Sequence, residues 1–271
     1  MPLPGVVLGF RAFRLPRQGY GLEECQDALA GDAERGRFAI ADGAAESPYS
    51  SLWAQLLVEE FVRQSERLPS WANWLPSLQE RWSAQVTVHE RWAARVALPV
   101  NGTAQATERI ETAVPWYLEA GLIQGAFATF LGLVIEQRSW YAVAVGDSCL
   151  FHLRRNELIR VFPVTRAADF SNAPWLVGSR TSPIEVPHKY GLQQLGDCQA
   201  GDHLWLMTDA LAQWFLTQAE AGSKPWLALA PLAQTDGDDA SAQQEFAAWI
   251  ERLRSQRQLR NDDVALLAVS I

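Results

Sequence analysis

Two apolar, β-rich stretches, residues 127–136 and 140–145, are separated only by Gln137-Arg138-Ser139. So short a connection favours a hairpin, and therefore antiparallel pairing. A second pair, residues 149–153 and 157–161, turns around Arg155-Asn156 in the same way. The middle of the chain thus reads as a β-meander. Around it, residues 6–15 alternate apolar and basic side chains as a strand does. Phe38-Ala39-Ile40-Ala41 and His203-Leu204-Trp205-Leu206-Met207 are short buried-strand runs, and residues 264–271 form a last one.

Helical spacing appears between the strands. Residues 50–67 place Leu52, Leu56, Leu57 and Phe61 on one face, with Ser50 or Ser51 as the expected cap. Residues 75–96 do the same with Trp82, Val86, Trp92 and Val96, before Pro99 and Asn101-Gly102 break the pattern. Further helices are expected from about Ala210 and over residues 244–253. Residues 165–187 read as a long surface loop with one helical turn, and 234–244 as a mobile polar loop. Strands that cluster in hairpins and helices that come in pairs predict antiparallel sheets covered by helices, an α+β fold, and not a doubly wound parallel sheet. No linker divides residues 1–271, so one domain is expected.

Composition narrows the function. A hydrophobic fraction of 48% and a charged fraction of 20% describe an ordinary globular protein. Twelve tryptophans are read as core and helix-face fillers. A net charge of -8 argues against nucleic acid as the main partner and suits a protein that concentrates divalent cations. Cys25, Cys149 and Cys198 form neither a C-x-x-C pair nor a disulfide framework. No run approaches the ~18 apolar residues of a membrane span, and no signal peptide opens the chain. The expectation is a cytoplasmic protein.

The chemistry-bearing feature is a set of aspartates in one shared context. Asp42 ends the run of residues 38–41, Asp147 follows residues 140–145, Asp209 follows 203–208, and Asp262 and Asp263 precede the last strand. A carboxylate at the end of a buried strand is costly to desolvate unless it is paired or bound to a cation. No lysine or arginine adjoins Asp42, Asp147 or Asp209 in sequence. If these strand ends converge, oxygen-only ligands favour Mg²⁺ or Mn²⁺ over zinc. Each aspartate alone is more often a turn residue or helix cap, as Asp209 before Ala210-Leu211-Ala212 could be; their common setting is what points to a site.

In order, these segments resemble the signature of the metal-dependent serine/threonine protein phosphatases of type 2C, in a bacterial-type variant. Phe38-Ala39-Ile40-Ala41-Asp42-Gly43 is similar to the first aspartate-glycine motif, and Gly125-Ala126-Phe127-Ala128-Thr129 to the glycine-threonine strand after it. Val143-Ala144-Val145-Gly146-Asp147-Ser148 resembles the glycine-aspartate-serine motif, and Leu206-Met207-Thr208-Asp209-Ala210-Leu211 the serine-aspartate-glycine motif. Asn261-Asp262-Asp263-Val264-Ala265-Leu266 resembles the terminal motif, and Gln26-Asp27 the acidic pair near the N-terminus.

The resemblance implies a four-layer α-β-β-α sandwich with two Mn²⁺ or Mg²⁺ ions at one edge. By it, Asp42 bridges the ions and the Gly43 carbonyl joins one of them. Asp209 and Asp262 ligate the other, Asp147 helps hold a third, weaker ion, and Asp27 acts through water. Asp42, Asp209 and Asp262 are then the catalytic set, and a metal-activated water hydrolyses phosphoserine or phosphothreonine. The implied partner is a phosphorylated protein, a cognate serine/threonine kinase or its targets, met by a monomer.

The sequence departs from that pattern at three places. Gln26 stands where the family has glutamate. Leu22 stands where it has a phosphate-binding arginine, with Arg11, Arg14 and Arg17 as nearby substitutes. Ala210 and Ala44-Ala45-Glu46 replace glycines. Gln26 and Leu22 motivate the alternative of a catalytically weak pseudo-phosphatase acting as a regulatory binding module, whereas the glycine replacements fit a bacterial-type variant. A third reading is a hydrolase of small phosphoesters.

Overall fold

The computed structural model describes residues 8–45, 47, 49–68, 70–96, 124–171, 173–180, 191–234 and 239–271. Two five-stranded antiparallel sheets form its centre. The first contains β1 (Gly9–Leu15), β7 (Cys149–Arg154), β8 (Glu157–Phe162), β11 (His203–Met207) and β12 (Val264–Ser270), in the order β1-β12-β11-β7-β8. The second contains β2 (Asp27–Asp32), β3 (Arg37–Asp42), β5 (Phe130–Glu136), β6 (Ser139–Val145) and β10 (Leu192–Asp197), in the order β10-β6-β5-β3-β2. A short ribbon of β4 (Phe127–Ala128) and β9 (Val177–Gly178) adjoins them.

Strand alternation sorts the apolar side chains into three layers. Phe38 and Ile40 of β3, Leu131 and Leu133 of β5, Leu204 and Leu206 of β11, and Leu267 and Val269 of β12 meet between the sheets. The neighbouring residues of the same strands point outward. Ala39, Ala41 and Phe130 pack against α1 (Ser50–Arg63) and α2 (Trp71–Val96). Trp205, Met207 and Leu266 pack with α3 (Asp209–Glu220), the short α4 (Trp226–Leu229) and α5 (Asp239–Ser255). The result is the expected α-β-β-α sandwich. Many of the tryptophans serve as core: Trp53, Trp82, Trp140 and Trp205 are fully buried, whereas Trp175 is 49% exposed.

Both expected hairpins form. Arg155 and Asn156 take φ of 52° and 60°, the left-handed pair that a two-residue turn between twisted strands requires. Several expectations need correction. Neither Ser50 nor Ser51 caps α1, because Tyr49 holds the cap position in a left-handed conformation with no side-chain cap. Helix α1 stops at Arg63, four residues short of the expected end, and α2 starts at Trp71, ahead of it. Thr208, not Asp209, is the N-cap of α3, and Asp209 is its first residue. Helix α5 begins at Asp239, so half of the expected polar loop is helical; residues 235–238 lie outside the described residues. The long loop 165–187 contains the 3-10 turn Ala167–Asp169 and strand β9, while 181–187 lie outside the described residues, as do Pro99 and Asn101-Gly102. Strands β2 and β10 had no sequence signal: Asp27–Asp32 and Leu192–Asp197 are edge strands with weak alternation.

Replacing Phe38, fully buried between the sheets, by alanine removes the largest side chain that β3 gives to that layer. Phe38→Ala is expected to lower unfolding free energy by about 3–5 kcal/mol, read as a shifted urea midpoint at unchanged slope.

Candidate functional site

The pairing directions place the aspartates. Strand β3 is antiparallel to β5, and β5 to β6, so β3 and β6 run parallel and both finish at the same end of their sheet. Asp42 and the Gly146-Asp147-Ser148 turn therefore lie at one end of the sheet, with the start of β5 between them. In the first sheet β11 is antiparallel to β12, which brings the end of β11 beside the start of β12. Asp209 then meets Asp262. Asp27, the first residue of β2, is the direct cross-strand partner of Asp42. All five expected carboxylates come to one end of the sandwich, as does Gly43, which bridges to Ala128.

Hydroxyls hold this end together. Thr129 Oγ1 accepts from the Asp42 amide at 3.0 Å, the Thr129 amide donates to the Asp42 carbonyl at 2.8 Å, and Thr129 Oγ1 lies 2.9 Å from Ser148 Oγ. One side chain thus fixes the first motif against the third. Thr208 joins the two sheets: its hydroxyl donates to Asp27 Oδ2 at 2.8 Å and accepts from the Ala265 amide at 2.9 Å. Two glycines are required by close approach. At Gly146, φ is 98° and a Cβ would lie 2.7 Å from Thr129 Cγ2; at Gly43 it would lie 2.9 Å from the Ser50 backbone.

The terminal pair of aspartates divides its work. The Asp263 carboxylate accepts from the Arg17 amide at 2.8 Å and the Gln26 amide at 2.7 Å, pinning the N-terminal segment. Asp262 instead leaves its side chain 45% exposed at the cluster. Its backbone is held by Arg254, a buried guanidinium that donates to the Asp262 carbonyl at 2.5 Å and to the Pro16 carbonyl at 3.0 Å. Sequence reasoning missed Arg254 and also Arg260, which pairs with Asp209 through Nη2 and with Asp262 through Nε at 3.2 Å. The absence of a basic neighbour in sequence did not carry over to space for Asp209. No local signal distinguishes these arginines from solvated ones.

Of the candidate substitutes for the missing arginine, Arg11 is buried, pairs with Asp239 at 3.2 Å and donates to the Leu232 carbonyl. Arg17 stacks 4.0 Å over the Tyr20 ring. Arg14 donates to the Asp27 carbonyl at 3.3 Å, at the edge of the cluster. Leu22 itself is 51% exposed.

The electrostatics are those of crowded carboxylates. Burial pushes the Asp42 carboxyl well above its ordinary range, and Asp27, Asp209, Asp262 and Asp147 push it further. Burial raises Asp27 likewise; the Thr208 hydrogen bond opposes this, and Asp263, Asp209 and Asp262 add to it. Asp147, 4% exposed, is raised to about 7, first by burial and then by Asp209. Burial and Asp209 raise Asp262, and Arg260 opposes them. Both oxygens of Asp147 and Oδ1 of Asp27 are buried with no hydrogen-bond partner among the described residues. Such orphaned acceptors fit a hard cation, which oxygen ligands suit. The described residues hold no three His, Cys, Asp or Glu side chains already gathered around one point, and Arg260 pairs with two of the carboxylates in question.

The cysteines offer no nucleophile. All three are buried; burial raises the Cys25 thiol to about 12 and Cys198 to about 11, and it raises Cys149 as well. Two strand histidines are tied to side-chain partners: His152 lies 2.9 Å from Asp202 and His203 3.1 Å from Ser270 Oγ.

The raised Asp147 gives a signed prediction. A carboxyl whose folded pKa exceeds its unfolded one contributes stability below the unfolded value and loses it as pH rises through the folded value, here between about 4 and about 7. In EDTA-treated protein, Asp147→Asn is expected to raise unfolding free energy at pH 8 by on the order of 2–4 kcal/mol and to change it little at pH 4, measured by denaturant titration.

Comparison with known proteins agrees with this geometry. The sequence pattern of protein phosphatase 2C matches residues 21–253. A comparison with curated proteins finds no match. Among solved structures, the catalytic domain of the serine/threonine protein phosphatase PstP in complex with two manganese ions has a TM-score of 0.56 at 13% identity, covering 97% of this chain and 98% of that one. PppA of Pseudomonas aeruginosa, described as a regulatory component of its T6SS, has a TM-score of 0.55 at 15% identity and covers 98% of each chain. The serine/threonine phosphatase of S. agalactiae has 0.56 at 13%, covering 97% of this chain and 99% of that one. At such identities the likeness is one of fold, while the sequence pattern spans most of the chain. The chain belongs to the protein phosphatase 2C family and is, by that membership, a phosphoprotein phosphatase.

Proposed function

We propose that this chain hydrolyses phosphoserine and phosphothreonine in proteins, with water as the nucleophile, at a centre for two Mn²⁺ or Mg²⁺ ions and a third, weaker one. The observation behind this reading is the convergence of Asp42, Asp147, Asp209 and Asp262, with both Asp147 oxygens buried and unpartnered. A protein of the same fold, PstP, was solved with two manganese ions.

In this reading Asp42, the Gly43 carbonyl, Asp209 and Asp262 hold the two ions, and Asp147 the third. Asp27 lies across from Asp42 and acts through water, its Oδ2 held by Thr208 and its Oδ1 buried without a hydrogen-bond partner among the described residues. Bound ions of this kind neutralise phosphoryl oxygens and acidify water. The chain's own part is to hold the carboxylates aimed, since burial and their mutual repulsion raise them against deprotonation. Thr129 and Ser148 lock Asp42 against the Asp147 turn, and Arg254 fixes the backbone of Asp262. The three thiols are buried and raised, which argues against a cysteine phospho-enzyme.

The substrate in this reading is a phosphorylated protein, shared with a cognate serine/threonine kinase in a bacterial-type signalling system. Residues 1–271 act as one domain and as a monomer in the cytoplasm. Among the described residues no helix is long and apolar enough to cross a membrane. The catalytically weak alternative has no observation in its favour beyond Gln26 and Leu22.

Purified protein is expected to release phosphate from a phosphothreonine peptide only with Mn²⁺ or Mg²⁺ present. Asp42→Ala and Asp209→Ala should each reduce kcat/KM by about a hundredfold or more. Preference for small phosphate esters over the peptide would favour the small-phosphoester reading. Absence of release from folded protein at every metal concentration would overturn the proposal.

A further inference from the structure

We infer that Arg260 is a built-in counter-cation of the acidic cluster, holding Asp209 and Asp262 until divalent ions displace it, so that it sets the ion concentration at which the centre assembles. The inference rests on the metal reading above and concerns a residue to which that reading gives no role.

Three observations support it. First, the guanidinium contacts both carboxylates at once, Nη2 with Asp209 Oδ2 and Nε with Asp262 Oδ2 at 3.2 Å. It also acts on Asp147, whose carboxyl it pulls downward against burial and Asp209. One monovalent cation therefore serves three of the four carboxylates assigned to the ions. An ion ligated by Asp209 or Asp262 would compete for oxygens that Arg260 now occupies.

Second, the segment around Arg260 is pinned while its side chain is not. The Asn261 side chain accepts from the Gln18 amide at 2.8 Å, and Arg254 holds the Asp262 carbonyl. Asp263 bonds two backbone amides, and Leu259 is buried. The Arg260 side chain is 37% exposed, and among the described residues its recorded polar contacts go to the two carboxylates alone. It can swing into solvent by rotating side-chain bonds, with no change in the backbone that aims Asp262.

Third, a guanidinium does not lose its proton at any physiological pH. Its charge cannot be titrated away to admit an ion, so admission requires movement. A doubly charged, compact ion interacts with the same oxygens more strongly than a delocalised single charge. Ion binding thus draws on a difference between two paired states. The cost of carboxylate repulsion is partly relieved beforehand by Arg260, at the expense of apparent metal affinity.

The test is a Mn²⁺ binding isotherm by calorimetry, with thermal midpoints of the same proteins in EDTA, for wild type, Arg260→Gln, Arg260→Lys and Arg14→Gln. Arg260→Gln is expected to tighten Mn²⁺ binding about three- to tenfold, as the loss of two partly exposed ion pairs implies, while lowering the midpoint in EDTA. Arg260→Lys, which keeps the charge but not the fork, should fall between. Arg14→Gln removes an equal charge near Asp27 without touching Asp209 or Asp262, and should tighten binding less. A purely structural role for Arg260 would lower both affinity and midpoint. Unchanged or weaker binding in folded Arg260→Gln, or equal tightening in Arg14→Gln, overturns the inference while wild-type binding leaves the metal reading intact. Absence of Mn²⁺ binding in every chain overturns both.

Discussion

Crowding of Asp27, Asp42, Asp147, Asp209 and Asp262 at one end of a β-sandwich is the constraint to which the surrounding structure answers. Desolvation alone raises four of these groups, and their neighbours raise them further. Left uncompensated, such a cluster would destabilise the fold that presents it. The compensations are visible one by one: Thr208 donates to Asp27, Ala210 donates its amide to Asp209, and Arg260 pairs with Asp209 and Asp262. Asp147 receives the pull of Arg260 without contact, and its two oxygens have no hydrogen-bond partner among the described residues.

The same contacts that offset charge also fix geometry. Thr208 reaches from the first sheet to Asp27 of the second and to the amide of Ala265, so one hydroxyl sets both the spacing of the sheets and the place of a carboxylate. Thr129 does this between Asp42 and Ser148. Asp263 and Arg254 bind the N-terminal segment to the loop that carries Asp262. Acid–base groups and structural ties are therefore not separable here. A change in the ties would move ligands, and a change in the ligands would alter the repulsion that the ties resist.

The opposite end of the sandwich shows how differently a buried carboxylate behaves when it is fully paired. Asp202 accepts from Arg154, His152 and the Gln199 amide. Those partners outweigh burial and hold its carboxyl below the usual range. The Asp147 and Asp202 carboxyls differ less in depth than in company, and that contrast separates a structural aspartate from one suited to a cation.

The sequence by itself determined the antiparallel architecture, because short connections between apolar, β-rich runs leave few other ways to bury residues 127–161. It also determined the aspartates at strand ends, because a charge placed after an apolar run is legible without coordinates. It could not give the edge strands β2 and β10, whose weak alternation reflects having only one neighbour and little to bury. Nor could it assign the work of adjacent Asp262 and Asp263. Identical side chains in consecutive positions point in opposite directions, and only packing decided that Asp263 bonds two amides while Asp262 faces the cluster. Arg254 and Arg260 were illegible for a related reason. Their distant partners, Pro16 just after β1 and Asp209 on α3, lie far away along the chain, and a charge that acts across the fold leaves no trace in its own neighbours. Local patterning fixed which groups could form a site; the tertiary pairing of β3 with β5 and β6, and of β11 with β12, decided that they meet, because strand direction settles which ends share a face of the sandwich.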